Sequence, residues 1–166
     1  MNRSWAYGLL VACLMVGSCG GSDDGVSERG QSSASPSPSV TFDSATALID
    51  TDEGSVLIDV EVAETGRQRE LGLMNRESLP QNAGMVFVFF EPTTGGFWMK
   101  NTLIPLSIAF FDVDGKILEI LDMEPCTKDP CEVYDPGVTY MGALEVNQGA
   151  FERWDVEEGD FIQLNR

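Results

Sequence analysis

The feature that most constrains the fold is a series of short apolar segments separated by turn signals. In the segment 56–62, valine and isoleucine occupy every second position, and this period of two is typical of a half-buried β-strand. Residues 85–90 are continuously apolar, which is typical of a strand that is buried on both faces. Segments of this kind at close spacing favour a mainly antiparallel β domain, either a compact barrel or a sandwich.

Further segments extend this pattern along the chain. The run Asp112-Val-Asp-Gly115 lies between two apolar segments and predicts a β-hairpin. Thr65 and Gln68 have the spacing of a capping box, which predicts a short helix over 66–74. A second helical turn is predicted at 150–154. Other strands are predicted at 45–50, 104–111, 116–123, 138–146 and 160–164, with a short strand or extended loop at 97–103.

The N-terminus has the pattern of an export signal. Arg3 is followed by the uncharged segment 5–16 and then by the small residues Gly17 and Ser18. The apolar segment suits a signal peptide and is too short for a membrane span of roughly 20 residues. The residues before Cys19 resemble the lipobox of bacterial lipoproteins. We therefore expect residues 1–18 to be removed and Cys19 to carry a lipid anchor. The alternative is an ordinary secretory signal with an incidental cysteine.

Residues 19–39 are interpreted as a flexible linker. Of the 20 residues in 20–39, 13 are glycine, serine or proline, and such a segment cannot bury enough apolar surface to fold. Residues 40–166 then form one β domain of ordinary size. The expected location is the extracytoplasmic side of the cell envelope, with the Cys19 lipid in the membrane. The sequence does not determine which membrane, or the oligomeric state.

The charge excludes some partners. The chain has 27 acidic and 10 basic residues, for a net charge of −17, so a nucleic-acid partner is not expected. The acidic residues form either a solvated surface or an acidic binding face.

Histidine is absent from the chain, which removes Ser–His–Asp catalysis and the commonest zinc ligand. Phosphate-binding and dinucleotide motifs are also missing, so no cofactor and no metal are expected. The segment that begins at Asp112 has Met123 where a calcium loop needs glutamate, and is interpreted as a turn. Cys126 and Cys131 lie close together in an exported chain and predict a disulfide.

Eight short motifs occur in an order that resembles the DUF192 family of uncharacterised bacterial and archaeal proteins. They are Val60–Ala63, Arg69–Arg76, Gly84–Phe89, Phe97–Thr102, Ile104–Leu106, Asp112–Gly115, Leu144–Gly149 and Gly159–Asp160. The resemblance implies a compact β-rich fold and frequent export, and it implies no activity. One departure is visible, because Ser107 stands where family members commonly have aspartate.

The segment 97–102 is the first candidate for a ligand-binding patch. Alternation predicts that Trp98, Lys100 and Thr102 share one face, with Asn101 on the other. An indole beside an ammonium and an amide can receive a sugar or a peptide. The alternative is that Trp98 packs in the core and Asn101 holds a turn.

Arg76 and Glu145 are the other candidates. Glu145 lies in an apolar strand, so it either faces solvent or pairs with a cation such as Lys100 or Arg76. A structural ion pair is favoured over a catalytic acid or base.

Two functions from different classes follow. The first is a non-catalytic binding or interaction module on the cell envelope, with a glycan or peptide ligand. The second is a hydrolase of envelope glycan that uses a pair of carboxylates, with Glu145 as one member. A second buried carboxylate would favour the hydrolase.

Overall fold

The computed structural model describes residues 39–166. The predicted signal peptide, Cys19 and all of the predicted linker before residue 39 lie outside the described residues. Within them, no helix is long and apolar enough to cross a lipid bilayer. The elements are β1 (Asp43–Thr51), β2 (Gly54–Ala63), α1 (Gly66–Leu71), β3 (Ala83–Thr93), β4 (Phe97–Trp98), β5 (Leu106–Phe111), β6 (Ile117–Met123), β7 (Val133–Tyr134), β8 (Tyr140–Asn147), α2 (Ala150–Arg153) and β9 (Phe161–Asn165).

The predicted hairpin between β5 and β6 is confirmed. The Asp112 carboxylate accepts hydrogen bonds from the backbone N–H groups of Asp114 at 2.9 Å and Lys116 at 3.0 Å. Gly115 has a φ of +85°, a conformation that glycine adopts without steric cost. This aspartate therefore holds a turn, as the sequence analysis concluded.

The capping box of α1 is also confirmed. The Gln68 backbone N–H donates to the Thr65 hydroxyl at 3.2 Å, and the Thr65 N–H donates to the Gln68 side chain at 2.9 Å. The helix ends at Leu71, before the predicted end at residue 74. Gly72 has a φ of +47° and donates its N–H to the Gln68 carbonyl at 2.8 Å. This positive-φ conformation, which glycine adopts without steric cost, ends the helix.

Seven strands form one sheet in the order β6-β5-β8-β3-β2-β1-β9. All neighbours are antiparallel except β2 and β3, which are parallel and joined through α1. Lys116, just before the edge strand β6, forms a single isolated bridge with Phe161 of the other edge strand, and no ladder joins β6 to β9. The sheet is therefore not closed into a barrel but forms a sandwich-like fold, so the sandwich was the correct alternative. Strands β4 and β7 form a separate pair.

Each side of the sheet carries its own apolar cluster, because successive side chains of a strand point to opposite faces. The first cluster contains Ile49, Ile58, Val86, Leu144, Val146 and Phe151. The second contains Leu73, Met85, Phe87, Met99, Ile108, Phe110 and Ala143. Both faces of the central strands β8 and β3 are therefore buried. Most side chains of β8 therefore lie in an apolar environment, whichever face of the sheet they occupy.

Candidate functional site

The two residues of β4 face opposite ways: Phe97 packs against the core and Trp98 lies at the surface. The Phe97 ring packs edge-on against Phe87, with a centroid distance of 4.9 Å, and against Phe110 at 5.5 Å. Trp98 points the other way and keeps 51% of its surface exposed. Its neighbour across the strand pair is Val133, which is 59% exposed. Trp98 is therefore an exposed side chain and does not pack in the core.

Of the segment 97–103, predicted as a short strand or an extended loop, only Phe97 and Trp98 form a strand. The Thr102 N–H donates to the Met99 carbonyl at 3.0 Å, and Asn101 has a φ of 56°. This turn ends the alternation. Thr102 is consequently 5% exposed and turned inward, rather than sharing an exposed face with Trp98 and Lys100. Asn101 is exposed at the tip of the turn, where its carbonyl accepts the N–H of Asn75 at 2.8 Å.

Lys100 lies above Trp98. Its Nζ atom is 5.6 Å from the centroid of the indole ring and 2.7 Å from a carboxylate oxygen of Asp129. Asp129 belongs to the loop closed by the predicted disulfide of Cys126 and Cys131, which is present. Together, Trp98, Lys100 and Val133 form a partly apolar surface with one ion pair, which we call the Trp98 surface.

Glu145 lies in the middle of β8, directly opposite Met85 of β3 and Ile108 of β5. It is 5% exposed. Among residues 39–166, its side chain makes no hydrogen bond and no ion pair. Burial raises the pKa of this carboxyl from its ordinary value of 4.5 to about 8, because the charged form loses its hydration. At neutral pH it is therefore mainly a neutral acid.

Both environments expected for Glu145 were wrong. It does not face solvent, because β5 and β3 flank its strand and the second apolar cluster covers its face. Its carboxyl also pairs with no cation in the part of the chain that the structure describes. Lys100 is paired with Asp129, and Arg76 forms an ion pair with Glu61.

The structure brings Trp98 and Glu145 to the same small cavity, which we call the Glu145 cavity. Its volume is about 30 Å³, enough for one or two water-sized groups. The lining residues carry two carboxyls, one guanidinium, one hydroxyl, three aromatic rings and several apolar side chains. The residues are Arg69, Glu70, Leu71, Gly72, Leu73, Met74, Phe87, Phe97, Trp98, Thr102 and Glu145.

The other predicted patch residues do not line the Glu145 cavity. Lys100 reaches the site only through its contact with Trp98. Arg76 lies along a different depression with Glu61. The five residues of the predicted patch therefore divide, with Trp98 and Glu145 at one cavity, Lys100 beside it, and Asn101 and Arg76 apart from it.

Helix α1 contributes to the site, which was not predicted from the sequence. Arg69 donates to the carbonyl oxygens of Glu64 at 2.6 Å and Val88 at 3.1 Å, and its guanidinium lies 4.8 Å from the centroid of Phe89. It thereby fixes α1 against the sheet beside the cavity. Residues 69–76 form one of the motifs that resemble the DUF192 family, and this motif is the signal in the sequence that points to α1.

A larger depression, of about 440 Å³, is lined by other residues, among them Ser107, Asp122 and Asp155. Its buried hydroxyl is satisfied, because Ser107 donates to Asp122 and accepts the Gly149 N–H at 2.9 Å. Ser107 therefore fastens the start of α2, and a carboxylate at this position could accept the same N–H. We place the candidate site at the Glu145 cavity because its carboxyl has no such partner.

Residues 39–166 contain no cluster of three potential ligands that could hold a metal ion.

The sequence profile of the DUF192 family, described as "Uncharacterized ACR", matches residues 48–164. The chain belongs to the DUF192 family. The match includes every residue that lines the Glu145 cavity, so the cavity lies within the family domain. None of the curated proteins is significantly similar to the chain.

Two solved structures are among those similar to the DUF192 domain. One, from Sinorhizobium meliloti 1021, is provisionally described as a transcription regulator. It is 31% identical, the comparison covers 76% of this chain and 98% of that one, and the TM-score is 0.71. The other, from Novosphingobium aromaticivorans DSM 12444, is a protein of unknown function. It is 28% identical, with coverages of 71% and 83% and a TM-score of 0.65.

Proposed function

We propose that this DUF192 protein is a lipoprotein of the cell envelope whose domain is a non-catalytic binding module for a glycan or a peptide. Support for the tether comes from the sequence before Cys19, where an uncharged segment ends in two small residues. A diacylated cysteine would anchor the chain stably, since two acyl chains suffice where one does not. The linker up to residue 39 would hold the domain away from the lipid.

One observation carries the binding function. Trp98 keeps half of its surface exposed while it borders a cavity that contains an unpaired, buried carboxyl. Exposed aromatic side chains beside convergent polar groups are typical of recognition sites. Burying such a carboxyl without a partner destabilises a domain, so its presence is better explained by a ligand than by folding.

The hydrolase alternative has weaker support. A carboxylate mechanism needs two carboxyl groups on opposite sides of the scissile bond. The second carboxyl at the Glu145 cavity belongs to Glu70, which is exposed.

Transcription regulation is not carried over from the Sinorhizobium protein. The net charge of −17 opposes binding to the phosphate backbone.

The binding function is tested by sedimentation with purified peptidoglycan sacculi, which present both glycan and peptide. The mature chain, in mild detergent, should sediment with sacculi, and Trp98→Ala should stay in the supernatant. Phe90→Ala is the matched control, because Phe90 is also an exposed aromatic residue, at 77%, and does not line the cavity. Equal sedimentation of the Trp98 variant and the wild type, or no sedimentation of the wild type, would contradict the proposal.

A further inference from the structure

We propose that the Glu145 cavity receives a primary ammonium group of a peptide, such as a lysine side chain, with Glu145 as its counter-ion. This inference rests on the binding function proposed above and commits it to one class of ligand. It starts from the fact that Glu145 is 95% buried and that neither a hydrogen bond nor a charge within residues 39–166 offsets the loss of hydration of its carboxyl.

The size and position of the cavity suit this group. A water molecule needs about 10–15 Å³ measured in this way, so a cavity of about 30 Å³ has room for an ammonium and the methylene next to it. The cavity reaches the surface, because Trp98 and Glu70 are both exposed and both line it. A sugar ring is larger than this space.

The lining also suits this group. The rings of Phe87, Phe97 and Trp98 line the cavity, and aromatic faces attract an ammonium through cation–π interactions. The Thr102 hydroxyl can accept a hydrogen bond from it. Leu71, Leu73 and Met74 provide apolar contacts for the methylene groups that lead to the ammonium.

The cations of the chain near the cavity are already engaged. Lys100 pairs with Asp129 at 2.7 Å, and Arg69 donates to two backbone carbonyls. Glu145 is therefore left without a counter-ion among residues 39–166. The net charge of −17 adds a general attraction for a cationic ligand.

Binding of an ammonium should be coupled to the release of a proton. Burial raises the pKa of Glu145 to about 8, whereas the counter-ion must be ionised. The other charged groups around it are Arg69 and Glu70 of α1, and Lys100 beyond Trp98. If only the ionised form binds, the apparent affinity follows its population, which rises about tenfold between pH 7 and pH 9. A lysine ammonium stays charged over this range, since its pKa is about 10.4.

Two capped peptides test the inference, acetyl-Gly-Lys-Gly-amide and acetyl-Gly-norleucine-Gly-amide, which differ in the ammonium. Calorimetric titration of the mature chain in mild detergent, at 150 mM salt, should show binding of the lysine peptide alone. Its affinity should increase about tenfold from pH 7 to pH 9. Comparison of two buffers with different ionisation enthalpies at pH 7 should show release of nearly one proton for each peptide bound. Glu145→Gln should lose at least tenfold in affinity at pH 9.

Equal affinity for the two peptides, no affinity for either, or undiminished binding by Glu145→Gln would overturn the inference. The peptide pair and the proton count need only the wild-type chain, so they decide the matter even if the variant does not fold. The sacculus assay separates this result from the proposed function. Loss of sedimentation in Trp98→Ala, together with equal affinity for the two peptides, would retain the binding module and reject the ammonium ligand.

Discussion

Replacement of Glu145 by glutamine should change how the stability of the domain depends on pH. Burial raises the pKa of the folded carboxyl from 4.5 to about 8, while the unfolded chain keeps the ordinary value. Between these two values the folded protein holds a proton that the unfolded chain has released. The free energy of unfolding therefore falls as the pH rises through this interval, and the contribution of Glu145 to stability is fully present only below pH 4.5.

The magnitude follows from the linkage relation. One pH unit within the interval corresponds to about 1.4 kcal/mol, so Glu145 should lower the free energy of unfolding by about 3 kcal/mol between pH 5 and pH 7. This is a substantial part of the stability of about 5–15 kcal/mol that is typical of a domain. Glutamine has a similar shape and does not titrate. The free energy of unfolding of the Glu145→Gln variant should therefore not show this decrease between pH 5 and pH 7.

The assay is urea denaturation at pH 5, 6, 7 and 8, followed by tryptophan fluorescence. The difference between wild type and variant should change steadily with pH, and comparison at each pH removes the effects of the other acidic groups. Glu70→Gln is the control, because Glu70 lies at the exposed edge of the same cavity and its variant should follow the wild type. Parallel pH profiles for Glu145→Gln and the wild type would refute the burial argument.

Three further outcomes are expected. Cys19→Ser should abolish acyl labelling and membrane fractionation while the domain remains folded; labelling of this variant would contradict the lipobox interpretation. Replacing both Cys126 and Cys131 by serine should cost only about 2 kcal/mol in urea denaturation, because the disulfide closes a short loop. Trp98→Ala should change the unfolding free energy by less than about 1 kcal/mol, whereas Phe97→Ala should cost about 3 kcal/mol; similar losses for the two would show that Trp98 is a core residue.

Local interactions explain the parts of the fold that the sequence predicts. The hairpin at 112–115 and the capping box of Thr65 and Gln68 each depend on hydrogen bonds within four residues. The alternation in β2 follows from the pleat of a single strand. The disulfide joins two residues that are five positions apart. None of these features requires knowledge of the distant parts of the chain.

The end of β4 shows the limit of such reasoning. Alternation predicted a common face for Trp98 and Thr102, but the chain turns at 99–102 and buries Thr102. A residue distant in sequence stabilises this turn, because the Asn101 N–H donates to the Cys126 carbonyl at 2.8 Å. A segment distant in sequence therefore decides which of the two side chains faces solvent.

The sequence by itself determined that this chain forms a β domain with an exposed or core tryptophan and a carboxylate in an apolar strand. Only the tertiary structure decided that Trp98 is exposed, that Glu145 is buried and unpaired, and that both line one cavity. The environment of Glu145 depends on which strands flank β8 and on what covers the sheet. The cations predicted as its partners instead lie close to Asp129 and Glu61. Two charges pair when the fold brings them within a few ångströms of each other, and their spacing along the chain does not determine this distance.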